Sequence, residues 1–340
     1  MKSEIISTDP DTSALDLEAE QRHFLVSPDW HGQRVDKCLA GLLGEFSRSY
    51  LQQLMQQGDV TLNEQVLTKA SAKVRAGDHI CVSLRPTDQA QAFKAEAIGL
   101  DIVHEDDDLL VINKPAGLVV HPAAGHWSGT LMNGLLHHHG GAQMLPRAGI
   151  VHRLDKDTSG LMVVAKTRTV MEALVRQIAA RDIHRYYLAI AEKVWSHLGV
   201  VSVTESLGRD PANRLRMAVL ARDASTAKPA RTLFKPVATN GDVNLVACKL
   251  YTGRTHQIRV HLAWYGHPIL GDLVYGGHVR LGMTRQALHA TRLEFVHPVT
   301  GQGMGFEAPL PADMEKVLQD QSLHYNTASL GLATFGLPPD

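Results

Sequence analysis

Cysteine is scarce in this chain of 340 residues, which contains only Cys38, Cys81 and Cys248. Because no CxxC pair occurs, the sequence predicts neither a disulfide framework nor a zinc knuckle. No apolar run approaches the roughly 18 residues that a membrane helix needs. The first residues also lack a basic start followed by an apolar core, the pattern of a secretion signal. We therefore expect a protein of the reducing cytoplasm that does not enter a membrane.

The chain also lacks the positive net charge that many nucleic-acid-binding proteins carry. Its 34 basic and 35 acidic side chains give a formal net charge of −1. Residues 1–30 hold seven acidic and two basic residues, an excess of five negative charges. Taking that excess away from −1 leaves +4 for residues 31–340. A mildly basic body permits RNA binding without requiring it.

The length and a change of pattern along the chain predict two domains, the first of them small. Residues 1–22 are acidic and without periodicity, which predicts a disordered leader. Within residues 23–90, two short helices precede a hairpin and a further strand, with Ser47 capping the second helix and Gly58 ending it. The apolar positions of these elements are Val35, Cys38, Leu39, Leu42, Leu43, Leu51, Leu54, Met55, Val60, Leu62, Val66, Ile80 and Val82.

A polar linker at residues 91–98 is expected to lead into a larger domain, residues 99–324, followed by a loose tail at 325–340. Irregularly mixed helices and strands predict an α+β fold with a mixed, largely antiparallel sheet rather than a doubly wound one. The last predicted helix has Thr255 as its cap and stops at Gly266. The other predicted elements are strands at 100–103, 109–112 and 186–190 and a helix with Met171, Leu174, Val175 and Ile178 on one face.

Residues 152–160, with the sequence His-Arg-Leu-Asp-Lys-Asp-Thr-Ser-Gly, are the most unusual stretch of the chain. Two acids, three bases and two hydroxyl side chains precede the apolar run 161–165, which is more charge than a turn requires. The stretch resembles the HRLDxxTSG motif of RluA-type pseudouridine synthases. Further blocks resemble the same family in the same order, so that the resemblance covers nearly all of residues 100–312. These blocks are residues 113–122, 252–261, 266–272, 275–276, 288–290 and 297–301.

The small domain resembles a second family. Residues 30–85 contain two short helices before a small sheet. This pattern resembles the S4 RNA-binding module, and the fold expected from the resemblance is of αααβ type. The alternative from the pattern alone is another small α+β accessory domain. The S4 resemblance implies that Arg48, on the second helix, contacts RNA.

The resemblance implies that the protein isomerises uridine to pseudouridine in RNA. The bond from N1 to the sugar breaks, the uracil turns, and C5 takes the place of N1. Because the reaction includes neither a redox change nor net hydrolysis, no cofactor and no metal are expected. His137, His138 and His139 lack an HExxH pattern or a cysteine cluster beside them, so they predict no metal site either.

By the same resemblance Asp155 is the catalytic carboxylate, acting at the anomeric carbon as a nucleophile or as the base of an elimination route. Without the resemblance, Asp155 would be interpreted as a turn-capping or ion-paired aspartate. Arg259 is expected to pair with Asp155 and to keep it ionised and oriented. Tyr187 is expected to stack on the uracil. Strand alternation allows only one of Tyr186 and Tyr187 to face the site.

Uracil in a stacked helix is out of reach, so the nucleotide has to flip out, at a cost of a few kcal/mol. The resemblance implies that Arg153 holds the flipped nucleotide; a surface ion pair with Asp157 is the alternative. Arg254 and His256 are expected to face the RNA as well.

Residues 147–152 and 208–219 resemble family members that modify the helix 69 stem-loop of 23S rRNA. The expected partner is therefore 23S rRNA or the large-subunit particle, bound by a monomer. One alternative is the same chemistry on other 23S rRNA uridines, and a second is an RNA-binding protein that has lost activity. A nucleoside glycosidase is a third, but such enzymes normally use two carboxylates.

Overall fold

A computed structural model describes residues 20–44, 48–84, 93–123, 126–213, 216–325 and 332–336. The chain forms two compact units, residues 1–91 and 92–340. Most of the predicted leader, the predicted cap Ser47 and most of the predicted tail lie outside the described residues. Among the helices of the described ranges, none is long and apolar enough to span a membrane.

The first unit is a four-stranded antiparallel sheet with two α-helices. Its strands lie in the order β1-β4-β2-β3. A 3-10 turn at Pro28–Trp30 comes before the helices, so three helical segments precede β2 to β4. The elements are β1 (Glu20–Leu25), α1 (Val35–Leu42), α2 (Arg48–Gln57), β2 (Val60–Leu62), β3 (Gln65–Val66) and β4 (His79–Leu84).

Most of the predicted apolar positions build the core of this unit, whereas Val66 is 62% exposed. Leu39 of α1 and Leu51 and Leu54 of α2 are buried together with Val60 and Val82 of the sheet. Burying each such side chain contributes roughly 1.5–3 kcal/mol. The same positions explain why the helical spacing was a reliable signal, since each helix has one apolar face to cover.

Two turns follow directly from the residues at them. Gly58 has a φ of +84°, which ends α2 as predicted. Asn63 and Glu64 both have positive φ, at 50° and 65°, the conformation of a two-residue turn that matches the twist of a hairpin. The prediction of a leader over residues 1–22 was wrong at its end, because β1 begins at Glu20 and pairs with β4.

The second unit is built on one large sheet. Its described strands follow the order β5-β6-β7-β14-β8-β13-β12-β9, with β15 on β14, and β10 and β11 form a separate hairpin. The strands are β5 (Ile102–Glu105), β6 (Leu109–Lys114), β7 (Ser159–Ala165), β8 (His184–Glu192), β9 (Val201–Val203), β10 (Leu207–Arg209), β11 (Met217–Val219), β12 (Thr232–Thr239), β13 (Val243–Leu250), β14 (Leu288–Val296) and β15 (Gly303–Glu307). The helices are α3 (Leu131–His138), α4 (Arg168–Ala180), α5 (Gln257–Trp264) and α6 (Ala312–Asp320).

The large sheet is antiparallel except at one place, which confirms the predicted α+β class. Among the described strands, β7 and β14 are the parallel pair. Gly160 has a φ of +114°, and a Cβ there would lie 2.2 Å from the carbonyl oxygen of Ala290. The Ser159 hydroxyl lies 2.9 Å from His289 Nδ1 across the same pair. This close approach lets β14 fit between β7 and β8.

Both faces of the sheet are covered. On one face of β7, Met162 and Val164 join the main core; on the other face, Leu161 and Val163 pack with Leu174 of α4. Strands buried on both sides have continuous apolar runs, as residues 161–165 do. The helix α4 was predicted correctly, except that Val175 points outward and is 47% exposed.

The predicted linker is partly fixed to the second unit. The backbone N–H of Glu96 donates to the carbonyl of Asn133, and the Glu96 carboxylate accepts from the N–H of Gly129 at 3.1 Å. The Asn133 side chain donates to the carbonyl of Lys94 at 2.8 Å. Polar composition alone suggested a free linker, but backbone bonds to α3 order residues 94–96.

Candidate active site

A cleft in the second unit collects six of the seven residues that were predicted to be functional. The seventh, Arg48, belongs to the first unit. The residues lining the cleft are Arg153, Leu154, Asp155, Thr158, Tyr187, Leu250, Arg254, His256, Gln257, Ile258, Arg259 and Leu288.

Asp155 lies in a turn immediately before β7. The N–H of Thr158 donates to the carbonyl of Asp155 at 3.1 Å, which closes the turn. Beneath it, the buried Lys114 ammonium donates to the carbonyls of Pro115, Leu118 and Lys156 at 2.8–3.0 Å. Burial lowers the pKa of Lys114 to about 8, against the attraction of Asp157 and Asp155. Lys114 therefore ties the loop after β6 to the loop that carries the carboxylate.

His152 holds the other end of this loop. Burial lowers the pKa of His152 to about 3, so its ring is neutral at physiological pH. Its Nε2 accepts the backbone N–H of Val163 at 3.1 Å. The charged stretch 152–160 is thus partly structural, and its Asp155 side chain remains 16% exposed at the cleft.

Arg259, on α5, joins two carboxylates. Its Nη1 donates to Oδ2 of Asp155 at 3.1 Å. Its Nε and Nη2 donate to the two oxygens of Asp272 at 2.7 and 2.9 Å. Burial disfavours the guanidinium charge, but the two carboxylates outweigh burial and raise the pKa of Arg259 above its usual value. The predicted pairing of Asp155 with Arg259 is present, and Asp272 fixes the arginine from the other side.

His256 borders the cleft next to Asp155. Its Nε2 lies 3.8 Å from Oδ1 of Asp155, and its Nδ1 lies 2.7 Å from the Tyr275 hydroxyl. The prediction of Thr255 as the cap of this helix was wrong. The helix begins at Gln257, and the residue before it is His256 with a left-handed φ of 56° and no capping bond from its side chain. That backbone turn directs the imidazole into the cleft.

Gln257 anchors the segment that brings these side chains together. Its side-chain oxygen accepts from the Thr252 hydroxyl at 2.7 Å and from the N–H of Arg254 at 3.0 Å. Its amide nitrogen donates to the carbonyl of Arg231 and to the Thr232 hydroxyl. A buried amide with all these bonds satisfied holds the turn rigidly.

Tyr187 faces the cleft from β8, whereas Tyr186 points to the opposite face and stacks near Phe335. The alternation of the strand thus separates the two tyrosines as predicted. Burial raises the pKa of Tyr187 to about 12, so the phenol is neutral. A neutral ring can stack on a base, and its O–H can donate a hydrogen bond.

Arg153 and Arg254 are exposed cations that line the same cleft. Arg254 donates to the carbonyl of Pro229 at 3.3 Å. Arg153 makes no hydrogen bond or ion pair with the residues that the structure describes, so the alternative pairing with Asp157 is not observed there. Two cations beside a carboxylate suit a substrate that carries phosphates on both sides of the reacting sugar.

Arg48 is held by an acid that the sequence analysis did not single out. Asp36, fully buried on α1, accepts from Arg34 at 3.0 Å, from Arg48 at 2.8 Å and from Gln52 at 2.9 Å. Hydrogen bonding from Arg34, followed by that from Arg48 and Gln52, holds the pKa of Asp36 well below its usual range. The two arginines stay about half exposed, at 51% and 52%.

The sequence analysis also assigned no role to Asp272 or Tyr275. Both lie in blocks that matched the family, which was the available signal, but no local pattern shows that Asp272 meets Arg259 thirteen residues away. The side chains of His138 and His139, at the end of α3, bond Glu105 and the carbonyl of Lys166.

One group of described side chains converges as metal ligands would: Asp106, Asp108 and His297. None of the three lines the cleft. Asp106 Oδ1 accepts the backbone N–H groups of Asp108 and Leu109, and His297 Nδ1 accepts those of Val299 and Thr300. These bonds explain the group as the closure of two turns.

Comparison with known families and proteins agrees with this site. The family described as RNA pseudouridylate synthase matches residues 108–264, and the S4 domain family matches residues 33–80. The chain is 46% identical over 313 residues to ribosomal large subunit pseudouridine synthase D of Neisseria meningitidis serogroup B, covering 88% of this chain and 82% of that protein. It is also 46% identical over 323 residues to the protein of that name from Nitrosomonas europaea, covering 92% of each.

Among solved structures, human RNA pseudouridylate synthase domain containing 4 is similar to this chain. The TM-score is 0.52 at 25% sequence identity, with 66% of this chain and 94% of the human chain covered. The relatives are similar along both units, and the family match spans Asp155, Tyr187 and Arg259. This chain therefore belongs to the RNA pseudouridylate synthase family and carries an S4 domain before its catalytic domain.

Proposed function

We propose that this enzyme converts uridine to pseudouridine in 23S rRNA, with the helix 69 stem-loop as its target. The names of its relatives and the resemblance of residues 147–152 and 208–219 support this substrate. The observation that carries the chemistry is the cleft in which Asp155, paired with Arg259, lies among the side chains of Tyr187, Arg153 and Arg254.

In this proposal Asp155 is the catalytic residue. Its carboxylate acts at the anomeric carbon of the flipped nucleotide, either by attacking it or by starting an elimination, and the freed uracil turns and bonds through C5. The Arg259 guanidinium holds Oδ2 of Asp155, which leaves Oδ1 directed to the cleft. Tyr187 stacks on the uracil as a neutral phenol.

The number of available carboxylates argues against a glycosidase. Asp155 is the one acid among the residues that line the cleft, and Asp272 behind Arg259 is 2% exposed with both of its oxygens bound to Arg259. A glycosidase normally needs a second carboxyl group that reaches the leaving group or a water. With one free carboxylate, isomerisation without release of the base is the better account.

RNA binding is divided between the two units in this proposal. Residues 99–324 carry the chemistry, with Arg153, Arg254 and His256 facing the flipped nucleotide. Residues 23–90 form the S4 domain, and Arg34 and Arg48 offer their exposed N–H groups to phosphates. The enzyme works as a cytoplasmic monomer on 23S rRNA or on the large-subunit particle.

The test is pseudouridine mapping of 23S rRNA, at single-nucleotide resolution, in cells with and without this protein. We expect the helix 69 signals to disappear and to return with the wild-type gene but not with Asp155→Asn. Loss at other 23S rRNA positions would establish the alternative target. No loss anywhere, with RNA binding intact, would mean a silent binding protein, and release of free uracil in vitro would mean a glycosidase.

A further inference from the structure

We propose that Tyr275 locks His256 in a single tautomer whose Nε2–H faces Asp155, so that His256 is a positioning residue for the reactive oxygen. The inference rests on the catalytic role proposed for Asp155. Three neighbouring groups are involved: the backbone of Met217, the Tyr275 hydroxyl and the His256 ring.

The direction of the hydrogen bonds follows from what each group can donate. The backbone N–H of Met217, on β11, can only donate, and it lies 2.9 Å from the Tyr275 oxygen. The hydroxyl hydrogen of Tyr275 remains free to donate, and the acceptor that the described residues offer it is His256 Nδ1, 2.7 Å away; we assign the bond in this direction. An Nδ1 that accepts carries no hydrogen, so the neutral ring has its hydrogen on Nε2.

Partial burial favours the neutral form of the His256 ring, whose side chain is 22% exposed. Burial lowers the pKa of His256, and the attraction of Asp155 offsets this only in part. The Nε2–H dipole therefore points toward Oδ1 of Asp155 from 3.8 Å, a distance too long for a hydrogen bond. Arg259 holds the other oxygen at 3.1 Å.

The two carboxylate oxygens of Asp155 thus have different surroundings. Oδ2 is fixed by a short charged hydrogen bond, whereas none of the described residues holds Oδ1 that closely. A neutral N–H near Oδ1 orients the carboxylate without taking its charge. The other tautomer would turn a lone pair toward Oδ1 and repel it. Oδ1 is therefore the atom left to reach the ribose.

Tyr275 contacts both of the residues that flank Asp155, Arg259 and His256. Its ring lies under the Arg259 guanidinium, with 5.0 Å from the guanidinium carbon to the ring centroid. Its edge contact with the His256 ring has a centroid distance of 5.7 Å. His256 itself has a left-handed backbone, which is unfavourable for a residue with a side chain and persists only where the surroundings enforce it.

The test uses the full-length protein with Tyr275→Phe, which keeps the ring and removes only the hydroxyl. Histidine labelled with ¹⁵N reports the tautomer by long-range ¹H–¹⁵N correlation, and a His256→Gln variant assigns the signal among the 19 histidines. We expect wild-type His256 to be protonated on Nε2 only and the variant to show a mixture. The kcat of Tyr275→Phe should fall about tenfold with KM unchanged, the size of one lost hydrogen bond.

Tyr265→Phe is the matched control, because Tyr265 packs on Trp195 and His267 and does not line the cleft. It should leave both the His256 signal and kcat as in the wild type. An Nδ1–H tautomer in the wild type, or an unchanged tautomer in Tyr275→Phe, would overturn the lock. A changed tautomer with an unchanged kcat would overturn the positioning role. The tautomer is read in the free protein, so this result does not depend on whether Asp155 is catalytic.

Discussion

The two units each contain a cluster of aspartate and arginine, and the two clusters are built in opposite ways. In the S4 domain the acid is buried: Asp36 is fully enclosed and its partners Arg34 and Arg48 are half exposed. In the catalytic domain the base is buried: Arg259 is 7% exposed and Asp155 opens to the cleft.

In each cluster the buried residue fixes the position of the more exposed one. A buried ion that is fully hydrogen-bonded cannot move, because leaving its partners would strand a charge away from water. Asp36 therefore fixes two guanidinium groups whose remaining N–H groups face outward, where phosphates can meet them. Arg259 fixes one carboxylate whose free oxygen faces a cleft. In the proposed function, the same pair of residue types supports RNA binding in one unit and chemistry in the other.

The strongest test of this comparison is Asp155→Asn, which removes the carboxylate of the more exposed residue in the catalytic cluster. We expect turnover to fall at least ~1,000-fold while RNA affinity changes less than about twofold, because the carboxylate acts in the transition state. Single-turnover pseudouridine formation and filter binding measure the two quantities. Asp157→Asn, two residues away, is the control and should stay near wild-type activity. A tenth of the activity in Asp155→Asn would refute its catalytic role.

The same exchange in both clusters sharpens the comparison. Arg259→Lys places a point charge where a planar fork bridges two carboxylates, so kcat should fall roughly 100-fold. Arg48→Lys should keep RNA affinity within about twofold, because a lysine still binds a phosphate. Equal losses in the two variants would mean that the clusters do not differ in the way described.

Asp36→Asn tests the buried aspartate of the cluster in the S4 domain. We expect the free energy of unfolding of this unit to drop by about 2 kcal/mol, since two charged hydrogen bonds weaken. Hydrogen exchange of residues 35–57 in the full-length protein measures the change. Protection equal to the wild type would show that Asp36 is not the support.

The pH dependence of the same variant gives a second measurement. Hydrogen bonding from Arg34 holds the pKa of folded Asp36 well below its usual range, so its contribution to stability is complete above the unfolded pKa of about 3.9. As pH falls below about 4, protons bind the unfolded chain first, and this contribution is lost. The difference in protection between wild type and Asp36→Asn should therefore shrink from pH 5 to pH 2.5. A constant difference would contradict this role of Asp36.

A smaller effect than those of the Asp155 and Arg259 variants is expected for Arg48→Gln, which removes one outward cation. RNA affinity should fall about fivefold, and the slope of log K against log salt should become shallower by roughly 0.7–0.9, one phosphate contact. Turnover at saturating RNA should not change. An unchanged slope would mean that Arg48 serves only to pair with Asp36.

The sequence could predict a structural feature where residues close together along the chain determine it. The helices α1, α2 and α4 follow from apolar spacing. Strand alternation predicted that only one of Tyr186 and Tyr187 faces the site, and the family resemblance selected Tyr187. Asp272 was missed because Arg259 lies thirteen residues away, and the link from Asp36 to Arg48 was missed because the two lie twelve residues apart; only the folded chain brings these charges together.

Two errors have a different origin. Thr255 has the chemistry of a helix cap, but the chain turns left-handed at His256, a choice made by the surrounding contacts rather than by propensity. Residues 94–96 have the composition of a linker, yet Asn133 binds them through backbone atoms that any sequence would offer. Composition cannot reveal bonds to backbone atoms, and here they act together with the side-chain bond from the N–H of Gly129 to the Glu96 carboxylate.

The position of β14 has a consequence for how the enzyme is made. Asp155 precedes β7 and Tyr187 lies on β8, and in the sheet β14 lies between these two strands although it is synthesised about a hundred residues after β8. At ~5–20 residues per second, translation needs roughly 5–20 s to deliver that strand after β8 is complete. During this interval the chain holds the strands beside Asp155 and Tyr187 without the strand that joins them, and the cleft residues 254–259 are still being added. The cleft can therefore form only after the chain has been synthesised through β14.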